Sequence, residues 1–312
     1  MLQITNLGKR YNGSKVPALD NVTIEVRDGE VVGFVGLNGA GKTTTIRISA
    51  GVSLPSEGTV SVEGHDIVRE KQEASKEIGW VPEYPIFEQN ARVMDLMVYF
   101  AGFHGIDQSE ARRRAEKLLD QAGLKGLEQK KLRTYSQGMK KRFSLANALL
   151  HDPKNLLLDE VLNGLDPEGI QFVRSIVADS RERNRAILLS SHILTEVQNL
   201  SDRVVFLHKG RVIGTSTRED LLARESNGRT LRMQITNLDE AAFAFLKTLG
   251  DAKLEGTETV ILSNPSREFS EINTEIVRRG LKVKEYVYER SDLEAYLFQL
   301  VKDAESRGSS VA

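Results

Sequence analysis

Cysteine is absent from this 312-residue chain, which excludes disulfides and thiolate metal sites and is compatible with a reducing compartment. Long apolar runs are missing as well. No stretch reaches the roughly 18 consecutive apolar residues of a membrane-spanning helix, and the opening MLQITNLGKRY lacks the apolar core of a signal peptide, so neither feature is expected. Any membrane role must then go through a partner. Nor is there an excess of one charge. With a formal net charge of −1, nothing in the overall balance argues for nucleic-acid binding or for a polybasic anchor, and no nucleic-acid partner is expected. Internal repeats and low-complexity tracts are also lacking. What is present is a chain with 40% hydrophobic and 28% charged residues, long enough to bury a full core and to form two domains.

Residues from Leu2 to Val35 alternate apolar and polar positions in short β-type runs that end in VVGFVG, a buried strand leading into a glycine-rich turn and then a helix from Lys42. Ser56 to Ile67 reads as a strand pair, and IGWVP near Ile78 as a further short strand. From Val93 to Leu150 the periodicity becomes helical. In SEARRRAEKLLDQAGL, Ala111, Ala115, Leu118, Leu119 and Ala122 recur at helical spacing, with Gly123 as a stop signal. NLLLD and AILLSS are apolar runs typical of strands buried on both faces of a parallel sheet. They flank a helical stretch, and RVVFLHKGRVIGTS closes the sheet. ESNGR, Glu225 to Arg229, reads as a linker. Beyond it the pattern is strand, helix, two strands, helix, strand, the order of a ferredoxin-like unit, followed by a last helix, DLEAYLFQLV. The expected organisation is a domain over 1–224 with a helical part at about 92–150, a second domain over 230–303, and a flexible tail at 304–312.

The strongest chemical signal is GLNGAGKTT, Gly36 to Thr44, which fits G-x-x-x-x-G-K-[ST] and stands where a strand hands over to a helix. Its glycines let backbone amides curl around phosphate oxygens, so Asn38, Gly39, Ala40, Gly41 and Thr44 are candidate cradle residues. Lys42 can reach the β- and γ-phosphates of ATP, and Thr43 can ligate Mg²⁺. A second constellation is LLLDE, where an apolar strand delivers Asp159 and Glu160 to its end. Alone, such a pair is a common strand terminus. Beside a phosphate loop, Asp159 is expected to hold the Mg²⁺ shell and Glu160 to orient and polarise the attacking water.

TYSQGMKKR, Thr134 to Arg142, lies between these motifs and resembles the signature sequence of the ABC (ATP-binding cassette) ATPases. The resemblance implies a P-loop α/β fold with a mixed sheet, an antiparallel β subdomain and a helical insert, followed here by the small ferredoxin-like α+β domain. It implies that Ser136 and Gly138 meet the γ-phosphate of ATP bound by the opposite subunit of a head-to-tail dimer. A helix starting near Ser136 suits that role, because its first amides are unpaired and its dipole is positive there. NGLDP supplies Asp166 as the family's D-loop aspartate, and SSH supplies His192 as the switch histidine on the γ-phosphate. Tyr11 matches the aromatic that stacks on adenine, with a packed strand aromatic as the alternative.

Two positions depart from the family pattern. Glu83 stands where most members carry a glutamine that touches Mg²⁺, and Val161 replaces the proline that usually follows the catalytic glutamate. Glu83 can still ligate Mg²⁺, although its charge opposes the γ-phosphate. The YS-x-GM form of the signature resembles exporters. The implied role is therefore an ATPase that powers a separate integral membrane permease from the cytoplasmic face of the membrane, paired with a second copy of itself or a paralogous ATPase. The alternative is a soluble ABC ATPase acting on ribosomes or nucleic acid, although one phosphate loop and no long heptad run speak against its common forms. A P-loop kinase would leave Ser136, Asp166 and His192 unexplained.

Overall fold

VVGFV, NLLLD and AILLS become β3 (Val31–Val35), β7 (Asn155–Asp159) and β8 (Ala186–Ser190), with every residue buried. They form the middle of a six-stranded sheet in the order β10-β9-β3-β8-β7-β6, completed by β6 (Ile78–Val81), β9 (Arg203–His208) and β10 (Arg211–Thr217). β6, β7, β8, β3 and β9 run parallel and β10 is antiparallel to β9, so the sheet is mixed. Side chains alternate between two apolar cores, as the two-residue period of a strand requires. Leu157 and Leu188 enter one, whereas Leu156, Leu158, Ile187 and Leu189 enter the other. That double burial is why these strands read as continuous apolar runs.

The computed structural model describes residues 1–227, 229–290 and 293–308. The chain divides into two compact units, a first that begins at Met1 and a second over Arg218–Gln299. In the first, the core of Leu157 and Leu188 is closed by a four-stranded antiparallel sheet in the order β2-β1-β4-β5. Its strands are β1 (Leu2–Lys9), β2 (Leu19–Val26), β4 (Glu57–Val62) and β5 (His65–Asp66). Helix α1 (Lys42–Ser49) contributes Ile46 and Ile48 to the same core, and α2 (Lys71–Lys76) contributes Ala74.

The opposite core holds the helical insert of α3 (Val93–Phe103), α4 (Gln108–Gln121) and α5 (Gln137–Ala148). α4 starts where the Asp107 carboxylate accepts from the amides of Ser109 and Glu110, and the chain turns out of it at Gly123, φ +66°. Phe143 of α5 meets Phe87 edge to face at 5.0 Å. α6 (Pro167–Glu182) and α7 (Leu194–Leu200) cross from β7 to β8 and from β8 to β9.

The second unit follows the predicted order: β11 (Arg229–Ile235), α9 (Glu240–Leu249), β12 (Asp251–Glu255), β13 (Thr259–Ser263), α10 (Phe269–Arg278) and β14 (Val283–Arg290). All pairings are antiparallel in the order β12-β13-β11-β14, which is ferredoxin-like topology. Two expectations change at the margins. Most of the stretch read as a linker is structured, since α8 (Arg218–Asn227) includes residues 225–227 and β11 starts at Arg229; Gly228 lies outside the described residues. α11 (Leu293–Gly308) carries helix through 304–308, part of the stretch read as a flexible tail, while 309–312 lie outside the described residues. In this last helix Glu305 accepts from Lys209 Nζ at 2.6 Å, a tie that the tail's composition did not disclose.

His104, at the end of α3, stacks on His151, beyond α5, with ring centroids 3.7 Å apart, and His151 Nε2 lies 3.0 Å from the Ile78 carbonyl oxygen. Burial, reinforced by His104, holds the His151 imidazole down at about 4. The unfolded chain takes up this proton first, so stability declines as pH falls from about 6.5 to about 4, by about 3 kcal/mol at most from this group. His151→Gln keeps a donor for Ile78 but cannot titrate. Thermal melts across that window should show a shallower pH dependence in this variant than in the parent; identical slopes would remove His151 as the cause.

Candidate functional site

The C-terminal ends of β3, β7 and β8 converge, as open α/β sheets require of a ligand site. Register fixes the convergence: Ser190 pairs with Asp159 across one ladder and with Phe34 across the other. From β3 the chain passes through Gly36–Gly41 into α1. Gly36 has no substitute, because a Cβ there would lie 2.3 Å from the Leu207 carbonyl oxygen, and Gly41 takes φ +112° to start the helix. Asn38 and Gly39 are exposed, whereas Ala40 is buried and its amide donates to the Leu37 carbonyl at 3.0 Å. The Ala40 amide is therefore engaged in a turn in this conformation.

Lys42 is buried. Its Nζ donates to the Gly36 carbonyl at 2.8 Å and lies 3.4 Å from Glu160 Oε1. Thr43 Oγ1 and Ser190 Oγ both donate to Asp159 Oδ1, at 3.2 and 2.7 Å. Burial raises the Asp159 carboxyl above the usual carboxylate range; the two hydroxyl donors pull it down, and the charges of Glu160 and Glu83 push it further up. Glu160 is 7% exposed and sits at φ +49°, a left-handed conformation unusual for a non-glycine residue. Its Oε2 accepts from the His192 amide at 3.1 Å and from Asn163 Nδ2 at 3.0 Å, and His192 Nδ1 stands 3.2 Å from the same oxygen.

Lys42, Thr43, Asp159, Glu160 and His192 are thus brought into one cluster. Glu83, in the loop after β6, is near enough for its charge to act on Asp159. Tyr11 lies outside β1 and is 44% exposed, with its hydroxyl 3.5 Å from Thr44 Oγ1, so it is not a packed strand aromatic. Ser136, Gly138 and Asp166 form a separate group. Among the described residues no hydrogen bond joins Ser136 or Gly138 to the Lys42–Glu160 cluster. Ser136 caps α5 by accepting from the Met139 amide at 3.2 Å, and a Cβ on Gly138 would lie 3.4 Å from Asp166 Oδ2. Asp166 caps α6 through the Gly169 amide and pairs with Arg142 at 3.1 Å.

Residues 19–163 match the ABC transporter family. The chain is 31% identical over 304 residues to the bacitracin transport ATP-binding protein BcrA of Bacillus licheniformis, covering 96% of this chain and 97% of that protein. This chain belongs to the ABC transporter ATP-binding proteins. As an ABC ATPase it binds and hydrolyses ATP in the service of a transporter. It is also 32% identical over 301 residues to the daunorubicin resistance ATP-binding protein DrrA3 of Streptomyces coeruleorubidus, covering 95% of this chain and 94% of the other. Among solved structures, an ATP-binding subunit of an ABC transporter superposes with a TM-score of 0.67 at 29% identity, over 72% of this ABC ATPase and 93% of that chain. A dimeric cassette in a post-hydrolysis state, bound to ADP and Pi, shares the fold at a TM-score of 0.63 and 23% identity, over 70% of this chain and 99% of that one. Among the described residues no helix of the ATPase is long and apolar enough to cross a membrane.

Sequence reading of this ATPase missed Ser190, which bridges both carboxylate residues by donating to Asp159 and accepting from the Glu160 amide at 3.0 Å. It also missed Asn163 beside Glu160. Each lies inside a motif already singled out for another residue, Ser190 in SSH and Asn163 in NGLDP. Ser190→Ala leaves a buried carboxylate with one donor fewer. It should lower stability by about 1–3 kcal/mol in urea unfolding, with a parallel fall in ATPase turnover; a change in neither would make the Ser190 contact incidental.

Proposed function

We propose that this ABC ATPase drives export through a separate integral membrane permease, on the cytoplasmic face of the membrane and as a head-to-tail pair with a second copy of itself or a paralogous ATPase. The observation that carries the chemistry is the single cluster in which Lys42, Thr43, Asp159, Glu160 and His192 meet. Thr43 Oγ1 and the carboxylates of Asp159 and Glu83 are hard oxygen donors of the kind Mg²⁺ takes, and a buried carboxylate short of positive charge fits a cation. Bound there, Mg²⁺ would neutralise charge on the β- and γ-phosphates.

In this reading Lys42 exchanges the Gly36 carbonyl and Glu160 for phosphate oxygens, which releases one carboxylate oxygen of Glu160. Glu160 then accepts a proton as water oxygen bonds to the γ-phosphorus and the bond to the bridging oxygen of ADP breaks. His192 keeps Nδ1 toward Glu160, which leaves Nε2 as the nitrogen able to meet the γ-phosphate. Ser136 and Gly138, apart from this cluster at the start of α5, would serve ATP held by the opposite subunit, and Tyr11 would stack on adenine.

Support for a permease comes from an exposed apolar group next to Glu83. Tyr84 is 77% and Ile86 93% exposed; separately, on α3, Phe103 is 71% exposed with its ring edge to face on Tyr99 at 5.1 Å. Exposed large apolar pairs, such as Tyr84 with Ile86 in the loop and Tyr99 with Phe103 on α3, mark interaction surfaces. Support for export comes from relatives named for bacitracin transport and daunorubicin resistance, which suggest an antibiotic-like cargo. Pull-down of the tagged chain from its native membranes should recover an integral membrane protein, and loss of that protein from a Tyr84→Ala, Phe103→Ala variant would locate the contact. Recovery of ribosomes or DNA alone would overturn the transport reading. Glu160→Gln should cut turnover by about 100-fold or more and trap an ATP-bound dimer in size-exclusion chromatography; normal turnover would remove Glu160 from the chemistry.

A further inference from the structure

The turn that carries Glu160 is strained and is held partly from within, by Asn163 and by burial of Val161. A non-glycine residue in the left-handed region costs about 1–3 kcal/mol and persists only where the surroundings over-determine it. Glu160 is such a residue at φ +49°, followed by Val161, with no ring to restrict the backbone. The clamp comes from outside the turn. Lys141, in the body of α5, donates from Nζ to the Glu160 carbonyl at 3.2 Å and also to the Asn163 carbonyl. Asn163 closes the loop: its amide donates to the Glu160 carbonyl at 3.3 Å, and its Nδ2 to the Glu160 carboxylate at 3.0 Å. One ammonium thus fixes the backbone of Glu160 and of the residue that orients the Glu160 side chain.

A cation suits this position better than a neutral donor. Burial holds the Lys141 ammonium below the ordinary lysine range, while the charges of Glu83 and Glu160 draw it back up. Together with Lys42, it offsets the negative charge of Glu83, Asp159 and Glu160. Among the described residues no hydrogen bond or ion pair joins Lys141 to the phosphate loop or to the hydroxyls of Thr43 and Ser190, so its effect passes through the turn of Glu160 and Asn163.

We propose that Lys141 is a positioning residue for ATP hydrolysis, fixing through the main-chain carbonyls of Glu160 and Asn163 the turn from which the Glu160 carboxylate reaches the attacking water. This rests on the reading of Glu160 as the water-activating base. The test compares steady-state ATPase kinetics, ATP binding and melting temperature of the full chain with those of Lys141→Met, Lys141→Arg and Glu160→Gln. Misplacement of a reacting group by about 1 Å costs on the order of a hundredfold. Lys141→Met should therefore lower kcat by about tenfold to a hundredfold with KM for ATP, ATP affinity and melting temperature near those of the parent, and Lys141→Arg, which keeps charge and donors, should recover most of the turnover. A Lys141→Met enzyme with parental kcat, one that loses ATP binding and stability together, or a Lys141→Arg enzyme as slow as Lys141→Met would each overturn the proposal. Glu160→Gln separates the two readings: normal turnover there defeats the role of Glu160, whereas a silent Lys141→Met beside an inactive Glu160→Gln defeats only that of Lys141.

Discussion

Negative charge at the end of a buried strand is the constraint around which this ATPase is arranged. Asp159 and Glu160 are adjacent and both buried, and Glu83 adds a third carboxylate within electrostatic range. Two like charges about 4 Å apart repel by about 4 kcal/mol at the dielectric effective near a protein surface, more than one ordinary hydrogen bond returns. The surroundings answer with two ammonium groups, Lys42 and Lys141, and with neutral donors: the hydroxyls of Thr43 and Ser190, the amide of His192 and the side chain of Asn163. Lys42 is shared between Glu160 and the phosphate loop. A phosphate group held by Lys42, as proposed, would compete for the same lysine and alter the field on Glu160 at once.

Strand parity explains why Glu160 needs a left-handed turn. Leu156 and Leu158 point into the core beneath the helical insert, and Leu157 points to the opposite side. Continued extension would send the side chain of residue 160 after Leu158, into apolar surroundings where a carboxylate has no partners. The turn redirects it toward Lys42 and His192. Val161 takes the apolar place, at 1% exposure within that same core. A proline at position 161 would bias residue 160 away from the α regions; valine imposes no such bias and is anchored by packing. In place of a proline restraint the turn is held by burial of Val161 and by the clamp from Lys141.

Elements whose identity rests on local pattern were legible in the chain. VVGFV before a glycine-rich turn, NLLLD and AILLS could be read because burial on both faces leaves no polar position, and the second unit because its helices and strands alternate cleanly. The contacts that complete the site were not legible in that way. Ser190 meets Asp159 across 31 positions, and Lys141 meets Glu160 across 19, distances over which periodicity carries no information. ESNGR read as a linker because glycine and polar residues mark loops, yet α8 includes residues 225–227, after a first turn holding Glu219 and Asp220, acids that suit a helix N-terminus. Polar composition alone does not separate a solvated helix end from a loop.

One helix ties the two groups of candidate residues together. α5 begins at Ser136 and carries Lys141 and Arg142 within its second turn. Lys141 holds the carbonyls of Glu160 and Asn163, while Arg142, buried, pairs with Asp166 at 3.1 Å and Glu168 at 2.9 Å and donates to the Ala122 carbonyl. Consecutive residues on a stiff element thus grip both ends of the segment from Glu160 to Glu168. Helix rise separates Ser136 from Lys141 by only roughly 7–8 Å, and no flexible joint lies between them. A displacement imposed at the N-terminus of α5 is carried to the Glu160 turn, since neither grip can be kept if the helix moves and the segment does not. In a head-to-tail pair, phosphate bound by Ser136 and Gly138 on behalf of one site would act through α5 on the glutamate of the other. Such coupling would require no change in the strands, because the link from the start of α5 to the Glu160 turn is two side chains, Lys141 and Arg142.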